Sequence, residues 1–233
     1  MERKSQILIL FFVTVAAISL AGFFNSYIRF LPDDMDRFPL VIHVHFSAFA
    51  CWFALLIVQP ILIKQEKYSL HRKIGKLSYF IAPVLVVTIL ILVTGQTKKD
   101  IVISEERAAF TAFVGLLDAV SFSAYYLIAM TNKRNLRWHV AFIIAATLII
   151  LNPGMSRLLN HIKPGLGLPA AVFLPFIISI GIILIEKIKF RRPVLKSPYF
   201  LFFCCWTVEI LLLVTIPKTE FLHLIVKKLL GIT

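Results

Sequence analysis

Seven apolar runs, most of them about 20 residues long and joined by short charged loops, restrict this chain to one kind of fold. About 20 residues rising 1.5 Å each span the roughly 30 Å of a bilayer's hydrocarbon. Lipid offers no partner to a peptide N–H or C=O, so each run must satisfy its own backbone as an α-helix. The reading is therefore all-α: a transmembrane helical bundle of about seven spans. They fall at approximately 6–24, 39–63, 74–93, 108–130, 138–153, 166–185 and 199–216, within a single transmembrane domain covering 1–233. Composition agrees, since 59% hydrophobic and 16% charged residues lie far from the soluble norm. The fifth run is short, so it either continues through Pro153 with a kink or is covered by neighbouring helices.

A net charge of +13 raises the question of nucleic acid, but the cations sit in loops between spans rather than on one face or in a tail. Membrane topology explains them, and no nucleic-acid partner is expected; the partner is the lipid bilayer. Fifteen of the 25 Lys and Arg lie on alternate segments counted from the N-terminus. The positive-inside rule then places the N-terminus in the cytoplasm and the C-terminus outside. The first span follows Arg3 and Lys4, and Ser19 with Ala21 forms a small-x-small pair, the pattern of a secretory signal. Its apolar core is longer than a signal's, which favours an uncleaved span. Cys51, Cys204 and Cys205 lie inside apolar runs with no zinc spacing and read as packing residues. In the tail, Glu220, His223 and Lys227 share a helical stripe, which predicts a surface helix over 219–230.

Ionisable groups inside spans carry the functional signal. A central Asp costs about 2.5–3.5 kcal/mol on insertion scales, so each needs a partner or a purpose. Asp118 lies near the middle of the fourth span, with Ser121 and Tyr125 on its face, and Glu209 lies within the seventh. They read as a protonatable pair, as a carboxylate balancing a cationic histidine or arginine in the bundle core, or as neutral carboxylic acids hydrogen-bonded to neighbouring helices. His45, Trp52 and Gln59 recur every seven residues, two helical turns, and put a polar stripe on one side of the second span. Arg157, beyond Pro153, either snorkels outwards or pairs with Asp118 or an outer carboxylate.

His71 opens the third span beside Arg72 and Lys73, with Gly75 four residues on as a helix-packing residue. His139 opens the fifth span, also on the cytoplasmic side. Two histidines at similar depth on different helices are candidate axial ligands of haem b, and interfacial histidines among phosphate-binding cations are the alternative.

HFSAFACWFALLIVQ, LHRKIG, LLDAVSF and NLRWHVAFIIAATLIILNPGMSRLL, in that order, resemble a group of uncharacterised bacterial polytopic membrane proteins. The matching positions are His45, His71, Gly75, Asp118, His139 and Arg157, over residues 40 to 160. The chain departs from the group at Trp138 and Val140, where more basic residues are usual. The Leu-His-Arg-x-x-Gly element also resembles parts of the membrane cytochrome b and ferric-reductase-like superfamily. The resemblance implies a multi-pass protein of the bacterial plasma (inner) membrane and supplies no activity.

Two function classes follow. In one, His45, Asp118 and Arg157 build a polar site for protons, a metal ion or a small lipid-like ligand, with Trp52, Gln59 and Glu209 beside it. In the other, His71 and His139 hold one haem that passes electrons across the membrane. No G-x-S-x-G elbow and no phosphate-binding glycine loop is present, which disfavours a serine hydrolase and nucleotide chemistry.

Overall fold

The computed structural model describes residues 2–231. Nine α-helices follow one another among them: α1 Glu2–Phe24, α2 Leu40–Lys64, α3 Tyr68–Gly75, α4 Ser78–Asp100, α5 Glu105–Thr131, α6 Leu136–Ile162, α7 Gly167–Phe190, α8 Pro198–Thr215 and α9 Glu220–Leu229. Seven helical stretches are long and apolar enough to cross a membrane, with α3 and α4 counted together. The chain is a multi-pass helical membrane protein. Large apolar side chains such as Leu10, Leu127, Ile177 and Leu211 stand exposed along these helices, the surface a bilayer covers.

Several boundaries differ from the hydropathy reading. The basic stretch before the third span is not a loop: residues 68–75 form the amphipathic helix α3, and Ser78 Oγ donates to the Gly75 carbonyl at 2.7 Å where α4 begins. Hydropathy alone misses an amphipathic helix of about two turns. The same span runs seven residues beyond Val93, because its polar end is satisfied locally. Asp100 Oδ1 accepts from Gln96 at 3.1 Å and Arg107 at 3.0 Å, and its Oδ2 accepts from Thr111 at 2.7 Å. The fifth span takes the longer of its two expected forms and continues through Pro153. Helix α6 continues nine residues past Pro153, which removes one N–H without ending the helix. The sixth extends through Phe190 and so takes in Glu186.

Contacts gather the chain into two compact units, residues 1–89 with 151–167, and residues 90–150 with 168–233. In the first, α1 and α2 pack through aromatic side chains. The Phe23 and Phe49 rings lie 5.5 Å apart, those of Phe49 and Phe53 4.6 Å apart, and Trp52 and Leu56 are buried. The closest approach is between backbones. A Cβ on Gly22 would fall 1.8 Å from the carbonyl oxygen of Gly154, and one on Gly154 would fall 2.7 Å from Cα of Ser19. Small residues at 19, 22 and 154 let α1 and the end of α6 touch main chain to main chain. Gly75 is a different case, since a Cβ there would stand in ordinary contact, 3.6 Å from the Gln59 amide.

The connection from α1 to α2 is anchored by His43. Its Nε2–H donates to the Met35 carbonyl at 3.1 Å, which leaves Nδ1 to accept from the buried Tyr27 hydroxyl at 2.6 Å. Burial pushes the Tyr27 phenol up, so it remains a donor.

The second unit is built around residues 141–149 of α6, where Ala141, Phe142, Ala145, Ala146, Thr147 and Leu148 are wholly buried. A helix apolar on all sides belongs at the centre of a bundle. Phe142 stacks on Trp138 and meets Tyr125, which in turn meets Phe202 edge-on at 5.4 Å. Trp206 of α8 donates its indole N–H to the Val172 carbonyl of α7 at 3.0 Å. Helix α9 is tied down through part of its polar stripe: Lys227 pairs with Glu105 at 2.5 Å and His223 donates to the Pro217 carbonyl at 2.9 Å, while Glu220 stays exposed. Phe221, Leu224 and Leu229 are left exposed on the other side.

Candidate intramembrane polar site

The strongest polar constellation inside a span joins α5 and α8 in the second unit. Ser121 and Tyr125, four residues apart, share one face of α5, and Asp118 lies one turn before Ser121, at the midpoint of that helix. Facing them is Glu209 of α8, a carboxylic side chain only 8% exposed. The Tyr125 hydroxyl donates to Glu209 Oε1, and the Ser121 hydroxyl lies beside the same group. Both hydroxyl residues are themselves buried. Asp118 is half-buried, lies within electrostatic range of Glu209 and has no hydrogen-bond partner among the described residues. Two acidic groups thus sit mid-span, and hydroxyls rather than cations attend one of them. Chemically this can hold and exchange a proton, or accept hydrogen bonds from a small polar ligand.

In the first unit, His45 of α2 contacts Thr88 of α4, with Nδ1 2.7 Å from Oγ1. The Thr88 hydroxyl spends its one hydrogen on the Val84 carbonyl at 2.6 Å, so His45 must be the donor. This assigns the Nδ1–H tautomer to His45 and leaves Nε2 with its lone pair. Thr88 also borders a shallow groove on α4 with Tyr79, Phe80, Pro83, Val84 and Val87.

The Gln59 end of the stripe serves the fold. In the amide orientation that satisfies both ends, its oxygen accepts from the Gly75 N–H at 3.1 Å. Its nitrogen then donates to the His71 carbonyl at 3.2 Å and reaches His71 Nδ1. The Gln59 main-chain carbonyl stands 3.4 Å from that same ring nitrogen. Gln59, His71 and Gly75 are therefore brought together, and they pin α3 to the end of α2. Trp52, between His45 and Gln59, is 2% exposed. Arg157 donates to the Pro153 carbonyl at 3.2 Å and lies 4.7 Å over the Phe23 ring, with no carboxylate partner among the described residues. His139 belongs to the second unit, where its Nδ1–H donates to the Ala129 carbonyl at 2.9 Å.

One well-formed polar cluster escaped the sequence reading: Glu186 of α7, bound by Arg137, Arg192 and Ser197. A signal for it exists, because Glu186 is the lone acid in a stretch with five cations between 187 and 196. No group of three or more His, Cys, Asp or Glu side chains is placed to hold a metal ion among the described residues. Comparison of the chain with protein-family models, with curated proteins and with solved structures found no match.

Proposed function

We propose that this multi-pass membrane protein carries a proton-exchanging site formed by Glu209, Tyr125, Ser121 and Asp118, and that it couples proton movement to its work in the bilayer. The observation that supports the reading is the Tyr125 hydrogen bond to a buried, mid-span Glu209. A carboxyl group in lipid is costly unless it is paired or used. Here the first charge is answered by hydroxyl donors, and a second on Asp118 would have none, so one proton moving on and off the pair is the inexpensive change. The test reconstitutes the protein in liposomes that trap a pH-sensitive dye and imposes a pH gradient. Protein-dependent collapse of the gradient, lost in Glu209→Gln and slowed in Asp118→Asn, is expected. Wild-type liposomes that hold the gradient as well as protein-free ones would sink the proposal.

A further inference from the structure

The Glu186 cluster has the makings of a site and plays no part in the proton reading. Glu186 is 8% exposed, and both of its carboxylate oxygens accept hydrogen bonds from protein. Oε1 takes Arg137 Nε at 3.1 Å, Arg137 Nη2 at 2.8 Å and Arg192 Nη1 at 3.3 Å, while Oε2 takes the Ser197 hydroxyl at 2.6 Å. The two guanidinium groups are held in fixed directions without being used up. Their side chains remain 36% and 41% exposed. Of about ten N–H donors on two guanidiniums, Glu186 takes three. Two cations against one carboxylate leave a positive charge unanswered. Arg192 is further fixed by the Phe190 ring, 5.3 Å away.

Placement indicates what would answer that charge. Arg137 is the second residue of α6, Glu186 lies four residues before the end of α7 and Ser197 caps α8, so the cluster gathers three ends of membrane-spanning helices. Helix ends lie at the headgroup layer, and basic pockets between them suit anionic lipid headgroups. Apolar surface adjoins the cations in the chain: Ile188 is 77% exposed and Leu195 is 78% exposed. A free phosphate has no use for that surface, whereas acyl chains do. We propose that Arg137 and Arg192, oriented by buried Glu186, bind the phosphate of an anionic phospholipid. Paired guanidiniums present forked donors that match phosphate oxygens, and a buried carboxylate behind them removes the cost of ordering two long side chains on binding.

The full chain in mild detergent, titrated with phosphatidylglycerol and with phosphatidylcholine and read by native mass spectrometry, tests this. Wild type is expected to retain phosphatidylglycerol in preference to phosphatidylcholine. Arg192→Gln leaves Arg137 and Ser197 on Glu186 and should weaken phosphatidylglycerol binding on the order of tenfold. Lys187→Gln removes an exposed cation outside the cluster and should change it less than about twofold. If Arg192→Gln does not elute as a single species, Arg192→Lys keeps the charge, loses the fork and should cost about threefold. Equal loss in the Arg192 and Lys187 variants would show diffuse attraction and overturn the proposal. So would a lack of preference for phosphatidylglycerol, or its displacement by an equal concentration of inorganic phosphate.

Discussion

Replacing Gly22 by alanine adds one methyl group to α1, at a place where no side chain can yield. The new Cβ would lie 1.8 Å from the Gly154 carbonyl oxygen, 2.5 Å from its carbon and 2.9 Å from its Cα, all main chain. Ordinary contact begins near 3.4 Å, so the two helices must part by about 1.6 Å. A gap of 0.5–1 Å already forfeits about a quarter to a half of a dispersion contact. Parting by more than that removes most of the attraction at the crossing, which in lipid is largely dispersion. Overpacking costs about 1–3 kcal/mol in general, and a clash against backbone belongs at the upper end. Near 3 kcal/mol the ratio of folded to unfolded protein falls by about two orders of magnitude. The assay is the fraction of monodisperse protein left after heating in detergent, read by fluorescence-detected size exclusion. Gly181→Ala is the comparator, because its Cβ would meet nothing within 4 Å and alanine is the better helix former. If Gly22→Ala and Gly181→Ala melt together, α1 does not cross α6 at this point and the packing argument is wrong.

Tyr125→Phe removes the hydroxyl that donates to buried Glu209 and should cost about 1–3 kcal/mol. In a double-mutant cycle with Glu209→Gln, a strongly non-additive thermal shift is expected, and additive shifts would deny the bond. Gln59→Leu cuts the side-chain links from α2 to His71 and Gly75 and should speed tryptic cleavage at Arg72 and Lys73, with little change in overall melting. Cleavage at the wild-type rate would mean that α3 is held by other contacts. Arg191 ends α7 at φ 51°, in the left-handed region, while the Arg192 N–H closes on the Glu186 carbonyl at 3.1 Å. Arg191→Gly should therefore be more stable than Arg191→Ala by about 1 kcal/mol, and equal melting of the two would remove the strain from the account.

Length and apolarity made the seven spans legible, because the thickness of hydrocarbon leaves a chain few choices. Intramembrane acids were legible too: Asp118, Ser121 and Tyr125 share a face by simple helical spacing, and Glu209 stands out in an apolar run. That Glu209 meets this face was not legible, since helical spacing says nothing of which helices become neighbours. Glu186 was passed over because the apolar run stops one residue before it. A cation-rich flank reads as solvated, although helix α7 continues through it with a buried carboxylate. His71 has the opposite history. Its motif suggested a ligand, and in the structure its Nδ1 lies against Gln59, a residue that spacing placed on the stripe of His45 and Trp52. At Pro153 the sequence left two outcomes open, and the helix continues, because a helix within a bundle can lose one N–H bond and go on.

The contact between Gly22 and Gly154 joins positions about 130 residues apart in the chain. At about 5–20 residues per second, synthesis separates their appearance by roughly 7 to 26 s. During that interval α1 is complete while the part of α6 that covers it has not been made. Its Ser19 and Gly22 edge, buried in the finished protein, then faces lipid, so α1 is made well before the segment that completes its packing.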